Sequence, residues 1–236
     1  MKELTPAGKL RVGVAFAPSP SPLFVVKDED GTPRGVTVDL GHALAQELGV
    51  AADLFVAPNT GELVDALEAG RIDVSFMPVD EERKKRIAFG PVYFLVESTY
   101  MVTGASGIRT VDEVDRPHVR VVGIANTTTI RAAGRTLTKT MVKAAPSIGE
   151  AMALMAGGKA DAFALSRDAL PPFVAQLPGS RMVEGGFQQT GVAIAVAKCK
   201  RDALAAVTAF LEKAKSSGAV RRAFERAGLS HLEPAP

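Results

Sequence analysis

Residues 66–76 read ALEAGRIDVSF, and residues 153–163 repeat the same design as ALMAGGKADAF. Each stretch combines the end of a helix, a glycine that stops it, a basic residue, an aspartate and a run of strand-forming residues. The opening strands predicted at residues 10–14 and 119–124 form a second similar pair. The chain therefore holds two αβ units of related design, and we expect two lobes.

Short β-rich runs alternate with helical patterns on both sides of these stretches, which is typical of an α/β fold with mainly parallel strands. Two long extended runs, at residues 92–102 and 191–196, are predicted to cross between the lobes. Helices are predicted at residues 61–69, from about 128, at 148–156, at 201–216 and at 219–227.

The region before residue 50 carries strong turn signals. Asp28–Gly31 predicts a hairpin between strands at residues 24–26 and 35–38. Asp39 is predicted to be the N-cap of a helix that ends near Gly49. The run from Ser19 to Pro22 contains two prolines and is predicted to be a loop.

Composition excludes several classes of function. The 236 residues include 28 basic and 26 acidic side chains spread along the chain, so nothing indicates a nucleic-acid partner. The single cysteine, Cys199, cannot form an intrachain disulfide, and we interpret it as an incidental thiol. Three scattered histidines lack the spacing of metal ligands, and no cofactor motif is present, so we expect neither a metal nor a cofactor.

No apolar run approaches the length of a membrane span, and the first residues lack the apolar core of a secretory signal. Two interpretations stay open at this point. Either the protein is intracellular, or a signal peptide has been replaced by the initiating methionine.

Several motifs, in order and spacing, cover nearly the whole chain. They read GKLRVGV at 8–14, GTPRGVTVDL at 31–40, ALAQELG at 43–49, LEAGRIDV at 67–74, IAFGPVY at 87–93 and GGKAD at 157–161, with Arg83 between the fourth and fifth. In these residues the chain resembles the family 3 periplasmic solute-binding proteins, which include the polar amino-acid receptors of ABC importers. That resemblance implies a type 2 periplasmic-binding fold, with two doubly wound lobes joined by two crossing strands.

The resemblance places residues 8–95 and 191–236 in the first lobe and residues 96–190 in the second, with a ligand cleft at the hinge. Ligands of open α/β sheets bind beyond the carboxyl ends of the strands. This rule points to the loops after Val14, Phe76, Ile124 and Leu165, and the family pattern selects the same loops.

Arg83 aligns with the arginine that binds the ligand carboxylate in these receptors, and Asp80 stands where they usually have threonine. A guanidinium suits this role because it binds a carboxylate through two parallel hydrogen bonds. The alternative is a solvated arginine in the charged run from Asp80 to Arg86.

Thr127 and Thr128 follow the strand at 119–124 and begin a helix, where backbone N–H groups and hydroxyls form a ready anion site. Asn126 stands where the family usually has glycine. The alternative is simple N-capping by Asn126 or Thr127. Phe16, at the end of the first strand, is the best-placed aromatic residue to cover a ligand.

Ser166 occupies the position where the receptors carry a second acid that holds the α-ammonium group of the ligand. One serine is a poor partner for a buried ammonium, so the ligand need not be a standard α-amino acid. Glu97 could supply the missing negative charge, or it could be an exposed hinge residue.

The resemblance implies a monomeric periplasmic receptor, not an enzyme, that closes on a small carboxylate-bearing ligand and presents it to a membrane permease. Cyclohexadienyl dehydratases share this fold, so a dehydratase remains an alternative, with Glu97 as its candidate general acid or base. An intracellular ligand-sensing domain is a third possibility.

Overall fold

The computed structural model describes residues 3–16 and 21–236. The chain divides into two compact units: unit 1 comprises Met1–Leu95 and Gly191–Pro236, and unit 2 comprises Val96–Thr190. The boundaries fall inside two long strands, so the chain leaves unit 1 in one strand and re-enters it in the other.

Helices and strands alternate along the described residues, which confirms the α/β class. The strands are β1 Lys9–Ala15, β2 Val26–Lys27, β3 Pro33–Arg34, β4 Ala51–Ala57, β5 Val74–Pro78, β6 Ile87–Val102, β7 Val121–Ile124, β8 Val142–Ala145, β9 Ala162–Ser166, β10 Arg181–Met182 and β11 Gln188–Ala197. The helices are α1 Val36–Glu47, α2 Thr60–Glu68, α3 Glu81–Arg86, α4 Thr128–Thr136, α5 Ile148–Ala156, α6 Pro171–Gln176, α7 Arg201–Ser216 and α8 Ala219–Arg226. None of these helices combines the length and the apolar character needed to span a bilayer.

Unit 1 is built on a sheet in which β1 lies between β4 and β5 and is parallel to both. Strand β11 is antiparallel to the other edge of β5. Leu63 and Leu67 of α2 pack with Ile72 in a fully buried cluster under this sheet. The carboxyl ends of β1, β4 and β5 therefore lie at one edge, where the loops to the helices begin.

Unit 2 repeats the arrangement with β7 between β8 and β9, parallel to both, and with β6 antiparallel to β9. Its sheet is buried on both faces. Phe163 and Leu165 of β9 pack into one cluster, whereas their neighbours Ala162 and Ala164 pack into another. This alternation shows that helices or loops cover both sides, as a doubly wound sheet requires.

The repeated aspartates have the same structural role in the two units. Asp73, directly before β5, accepts hydrogen bonds from Nε and Nη2 of Arg11 at 2.9 and 2.7 Å and from the Arg11 amide at 3.0 Å. Asp161, directly before β9, accepts the equivalent three bonds from Arg120 at 2.8, 2.6 and 2.9 Å. Each pair joins the first strand of its unit to the strand that carries the repeat.

One predicted element is wrong. Residues 35–38 do not form a strand, because α1 already begins at Val36, and its N-cap is Gly35 and not Asp39. The β-branched run favours a strand locally, but as a helix it buries side chains at a four-residue spacing, namely Val36, Leu40 and Leu44. Asp39 therefore lies in the first helical turn, where it binds Arg226 Nε at 2.8 Å.

The hairpin before α1 is correspondingly small. Its strands are the two-residue β2 and β3, and the turn between them contains the predicted Asp28–Gly31 contact, with Gly31 N donating to Asp28 O at 3.0 Å. Of the loop predicted from Ser19 to Pro22, the first two residues lie outside the described part of the chain.

The two arginine–aspartate pairs differ in burial, and this difference predicts unequal stabilities. The Asp73 side chain is fully buried, whereas 20% of the Asp161 side chain and 54% of the Arg120 side chain are exposed. We expect Asp73→Asn to lower the free energy of unfolding by about 3 kcal/mol, because it leaves Arg11 facing a neutral group. We expect Asp161→Asn to cost about 1 kcal/mol, since solvent screens the exposed pair. Equal losses in urea titrations would contradict this ranking.

The Asp161 pair also predicts a pH dependence. The hydrogen bonds and charge of Arg120 hold the pKa of Asp161 below its ordinary value. Because the pKa of Asp161 is lower in the folded state, the pair stabilises the fold. This contribution to the free energy of unfolding is complete above the unfolded-state pKa of about 3.9, and it is lost as the pH falls through the folded-state pKa. The stability difference between wild type and Asp161→Asn should therefore shrink below about pH 4. A difference that stays constant on acidification would contradict this assignment.

Candidate functional site

Arg83 is the buried cation of unit 1. It lies in α3, just beyond the carboxyl end of β5, and only 8% of the residue is exposed. Its Nη1 donates to the Pro78 carbonyl at 2.7 Å, and its Nη2 donates to the Thr60 hydroxyl at 2.6 Å. The expected alternative, a solvated arginine in a charged run, describes its neighbours Lys84 and Lys85 but not Arg83 itself.

The two groups that hold Arg83 come from different elements. Pro78 ends β5, and Thr60 is the first residue of α2, which follows β4. Sequence reasoning missed Thr60. Its position just after β4 could have indicated it, because side chains from neighbouring loops meet at the carboxyl ends of parallel strands.

Asp80 begins α3. Its carboxylate accepts hydrogen bonds from the amides of Glu82 and Arg83 at 3.1 and 3.4 Å, which makes it the N-cap of this short helix. Asp80 thereby sets the direction in which the Arg83 side chain leaves the backbone. The structure places it next to the predicted carboxylate-binding arginine.

Phe16 follows β1 at the same edge of the sheet, and its amide donates to the Ala57 carbonyl at the end of β4 at 3.2 Å. The ring is half-buried, and Lys27 Nζ lies 5.8 Å from the ring centroid. The phenyl group is thus partly open to a ligand, with a cation over it.

In unit 2, the loop after β7 leads into α4 through an unusual backbone conformation. Asn126 has a φ of 62°, in the left-handed region that favours glycine and that asparagine tolerates better than most residues. The asparagine is therefore compatible with the backbone conformation of this turn. Thr127 is the N-cap of α4, since its hydroxyl accepts from the Ile130 amide at 3.2 Å and donates to the Ile124 carbonyl at 2.8 Å.

Buried hydroxyl groups meet beside this helix start. Thr129 Oγ1 lies 3.3 Å from Ser98 Oγ, and Ser98 pairs with Ser166 across β6 and β9. Ser98, Thr128, Thr129 and Ser166 are each less than a tenth exposed. The structure therefore brings three predicted positions, Thr127, Thr128 and Ser166, into one hydroxyl-rich region of unit 2, and it adds Ser98, which the sequence did not indicate.

Glu97 is not an isolated acid. Its carboxylate forms an ion pair with Nε of Arg167, and Arg167 Nη2 also donates to the Gly185 carbonyl at 2.8 Å. Both side chains are about one-third exposed. The interpretation of Glu97 as an exposed hinge residue is therefore incomplete, because Arg167, the residue after Ser166, neutralises it.

The described residues contain no group of three histidine, cysteine, aspartate or glutamate side chains placed to hold a metal ion. The chemistry that these regions offer is recognition: a buried guanidinium in unit 1, and in unit 2 hydroxyl groups at the start of a helix.

Comparison with known proteins identifies relatives along most of the chain. The model of the family described as bacterial extracellular solute-binding proteins, family 3, matches residues 11–229. A glutamine-binding protein of Geobacillus stearothermophilus is 26% identical over 211 residues, covering 84% of this chain and 76% of that protein. Membrane-bound lytic murein transglycosylase F of Maricaulis maris is 34% identical over 139 residues, covering 57% of this chain and only 30% of that enzyme.

Solved structures agree over nearly the full length. A mutant of ArgBP from T. maritima has a TM-score of 0.76 and 28% identity, covering 95% of this chain and 97% of that one. The ancestral amino acid-binding protein AncCDT-1, a precursor of cyclohexadienyl dehydratase, has a TM-score of 0.73 and 28% identity, with coverage of 95% and 97%. These likenesses confirm the predicted fold class.

Proposed function

Because the chain belongs to family 3 of the bacterial extracellular solute-binding proteins, as its motifs predicted, we propose that it is a receptor for a small carboxylate-bearing ligand. The ligand class is an amino acid or a related organic acid. Two similarities support this class: a glutamine-binding protein aligns over 84% of the chain, and an arginine-binding protein of Pseudomonas aeruginosa is 33% identical over 100 residues.

The observation that carries this function is the placement of Arg83. Only 8% of Arg83 is exposed, and its guanidinium is held by Pro78 and Thr60, so it is oriented before any ligand arrives. Orientation in advance reduces the entropy that binding would otherwise lose. The planar fork of an arginine matches a carboxylate through two parallel hydrogen bonds, which the point charge of a lysine does not reproduce.

Unit 2 offers complementary neutral donors. The N-terminus of α4 presents backbone N–H groups, and the buried hydroxyl-bearing residues Ser98 and Thr129 lie beside it. Such a region suits an anionic or neutral polar part of the ligand. Under this proposal Arg83 of unit 1 binds the ligand carboxylate, with Phe16 covering the ligand and Asp80 orienting Arg83.

The ligand need not carry an α-ammonium group. Ser166 is neutral, and the nearest acid along the neighbouring strand, Glu97, is already bound to Arg167. A buried ammonium without an anionic partner is strongly unfavourable. We therefore place organic acids without an α-amine, such as glutarate, alongside amino acids as candidate ligands.

Delivery to a membrane permease of an ABC importer, a periplasmic location and a monomeric state complete the proposed function. Membership in an extracellular solute-binding family supports a location outside the cytoplasm, and delivery to a permease and a monomeric state are part of the proposal. Closure of a bound receptor is a population shift, driven by contacts that only the ligand-bound closed form makes.

An enzymatic function is the second candidate. It rests on the match to part of a murein transglycosylase and on the likeness to a precursor of cyclohexadienyl dehydratase. A dehydratase would need an acid or base within reach of its substrate, and Glu97 is the candidate that the sequence offers. Its carboxylate is engaged by Arg167 in this structure, which favours binding over catalysis.

Substitution of Arg83 tests the carboxylate site. We expect Arg83→Ala to weaken binding of the responding acid by about 10- to 100-fold, because hydrogen bonds to a charged group contribute about 1.5–3 kcal/mol. Arg83→Lys should lose most of the same affinity. The measurement is a thermal-shift and calorimetric titration with L-glutamine, L-arginine, L-lysine, L-glutamate and glutarate.

Lys85→Ala is the matched control, since Lys85 lies on the same helix, is exposed and pairs only with Glu82 among the described residues. The ligand-induced shift, and not the absolute melting temperature, is compared, because Arg83→Ala also removes the bonds to Pro78 and Thr60. Equal ligand-induced shifts in wild type, Arg83→Ala and Lys85→Ala would refute the assignment of Arg83.

Substitution of Ser166 tests the ligand's amine. Ser166→Asp restores an anion at this position, so we expect it to raise the preference for L-glutamate over glutarate by about tenfold or more, given the strength of a charged hydrogen bond. Ser166→Ala, the size-matched control, should leave that preference unchanged. If Ser166→Asp does not fold, Ser166→Asn offers a neutral acceptor at the same place. A preference for L-glutamate that is already large in wild type and unaltered by these changes would overturn the interpretation.

A further inference from the structure

Unit 2 contains a cavity that none of the proposed solute-binding side chains lines. Its volume is about 420 Å³, which falls within the range of small-molecule sites. The lining residues that matter are Tyr100, Asp112, Asp115, Lys139 and Phe187. All belong to unit 2, so the cavity is complete within that unit.

The apolar part of the lining comes from Phe187, which packs on the buried Tyr100, and from Val111 and Leu137. Tyr100 and Phe187 are stacked with centroids 4.5 Å apart and an interplanar angle of 29°. An apolar ligand body can pack on such a surface, and a cation is attracted to the face of an aromatic ring. The rings therefore suit a ligand with an apolar body and a positive charge.

The Tyr100 hydroxyl is buried and lacks a hydrogen-bond partner within the described residues. Burial raises the pKa of Tyr100 to about 12, so the group stays protonated at neutral pH. A weak interaction with the neighbouring Thr136 hydroxyl, short of a well-formed hydrogen bond, opposes this rise in pKa. The Thr136 hydroxyl itself lies 3.2 Å from the carbonyls of Ala132 and Ala133, to which it donates. A buried polar group without a partner is unfavourable, and a polar ligand atom would relieve it.

The side chains that line the cavity carry a net negative charge. Asp115 accepts from the Thr138 hydroxyl and from the amides of residues 138–140, which lowers the pKa of its carboxyl group to about 2 and keeps it ionised. In the described part of the chain, neither Asp112 nor Lys139 forms a side-chain ion pair. Two carboxylates and one ammonium leave the lining with one net negative charge.

From the cavity, its stacked rings, its buried hydroxyl and its net charge, we propose that unit 2 holds a second binding site, for a small organic amine with an apolar body. The ammonium group would bind near Asp112, and the apolar body would pack on Phe187 and Tyr100. This site is independent of the solute-binding function, since it shares no side chain with Arg83, Ser166 or the start of α4.

Tyrosine fluorescence provides a direct test. The chain has no tryptophan and two tyrosines, Tyr93 and Tyr100. Tyr93→Phe therefore leaves Tyr100 as the sole strong fluorophore, and Tyr93 belongs to unit 1. The probe is cyclohexylmethylamine, which does not fluoresce. We expect a saturable change in the emission of Tyr100 at probe concentrations up to about 10 mM, the range in which fragment-sized ligands bind.

Asp112→Asn in the same background should weaken amine binding about fivefold, as expected for one solvent-exposed ion pair. Glu150→Gln, which removes an exposed acid on α5 of the same unit, is the matched control and should leave the affinity unchanged. Arg83→Ala should also leave it unchanged. Cyclohexylmethanol and cyclohexanecarboxylate, which match the probe in shape, should bind more weakly than the amine.

Two results would overturn the amine site: no saturable change with cyclohexylmethylamine, or equal binding of cyclohexanecarboxylate. If Tyr93→Phe does not fold, chemical shifts of the Leu137 and Gly186 amides in the wild-type chain report on the same cavity. If Glu150→Gln weakens amine binding as much as Asp112→Asn does, the effect comes from the net charge of the protein and not from Asp112. That result would also refute the site.

Discussion

The hydrogen-bonded ion pair between Arg11 and Asp73, with its counterpart Arg120–Asp161, is the constraint on which the positions of both candidate regions depend. Each aspartate precedes a five-residue strand, β5 or β9, and each arginine belongs to or directly precedes the neighbouring strand, β1 or β7. The backbone adds a further bond, because the Asp73 amide donates to the Arg11 carbonyl and the Asp161 amide donates to the Arg120 carbonyl, both at 2.8 Å. These contacts hold the register of the parallel strands at their first residues.

A strand that is held at its first residue also has its last residue fixed in space. Pro78, the last residue of β5, supplies the carbonyl that binds Arg83, and Ser166, the last residue of β9, lies opposite Ser98. A strand extends by about 3.3 Å per residue, so the position of each aspartate determines where the last residue of its strand lies. The repeated structural pair thus lies at one edge of each sheet, and the groups proposed for recognition lie at the other.

The fold was largely predictable because its signals are periodic and local. The bounds of α5 and α7 match the predicted helices, and the α/β class follows from the alternation of strands and helices. Helix α1 was not predictable at its start, since Val36, Thr37 and Val38 favour a strand until their burial in unit 1 is known. The arginine partners of Asp73 and Asp161 were also missed, because 62 and 41 residues separate the members of each pair.

Less of the candidate site could be predicted from the sequence. The family resemblance pointed to Arg83, but the partners that hold it, and the ion pair that neutralises Glu97, depend on side-chain geometry. The sequence also did not indicate the left-handed conformation of Asn126, because residues other than glycine seldom adopt it. The roles of Phe16, Thr127, Thr128 and Asp80 toward a ligand remain predictions.

Crystal structures of the chain with glutarate and with L-glutamate would show directly whether Arg83 binds a ligand carboxylate. We predict that a carboxylate of the ligand lies within hydrogen-bonding distance of the Arg83 guanidinium. A bound acid elsewhere, with no contact to the Arg83 guanidinium, would contradict the assignment of this arginine to carboxylate recognition.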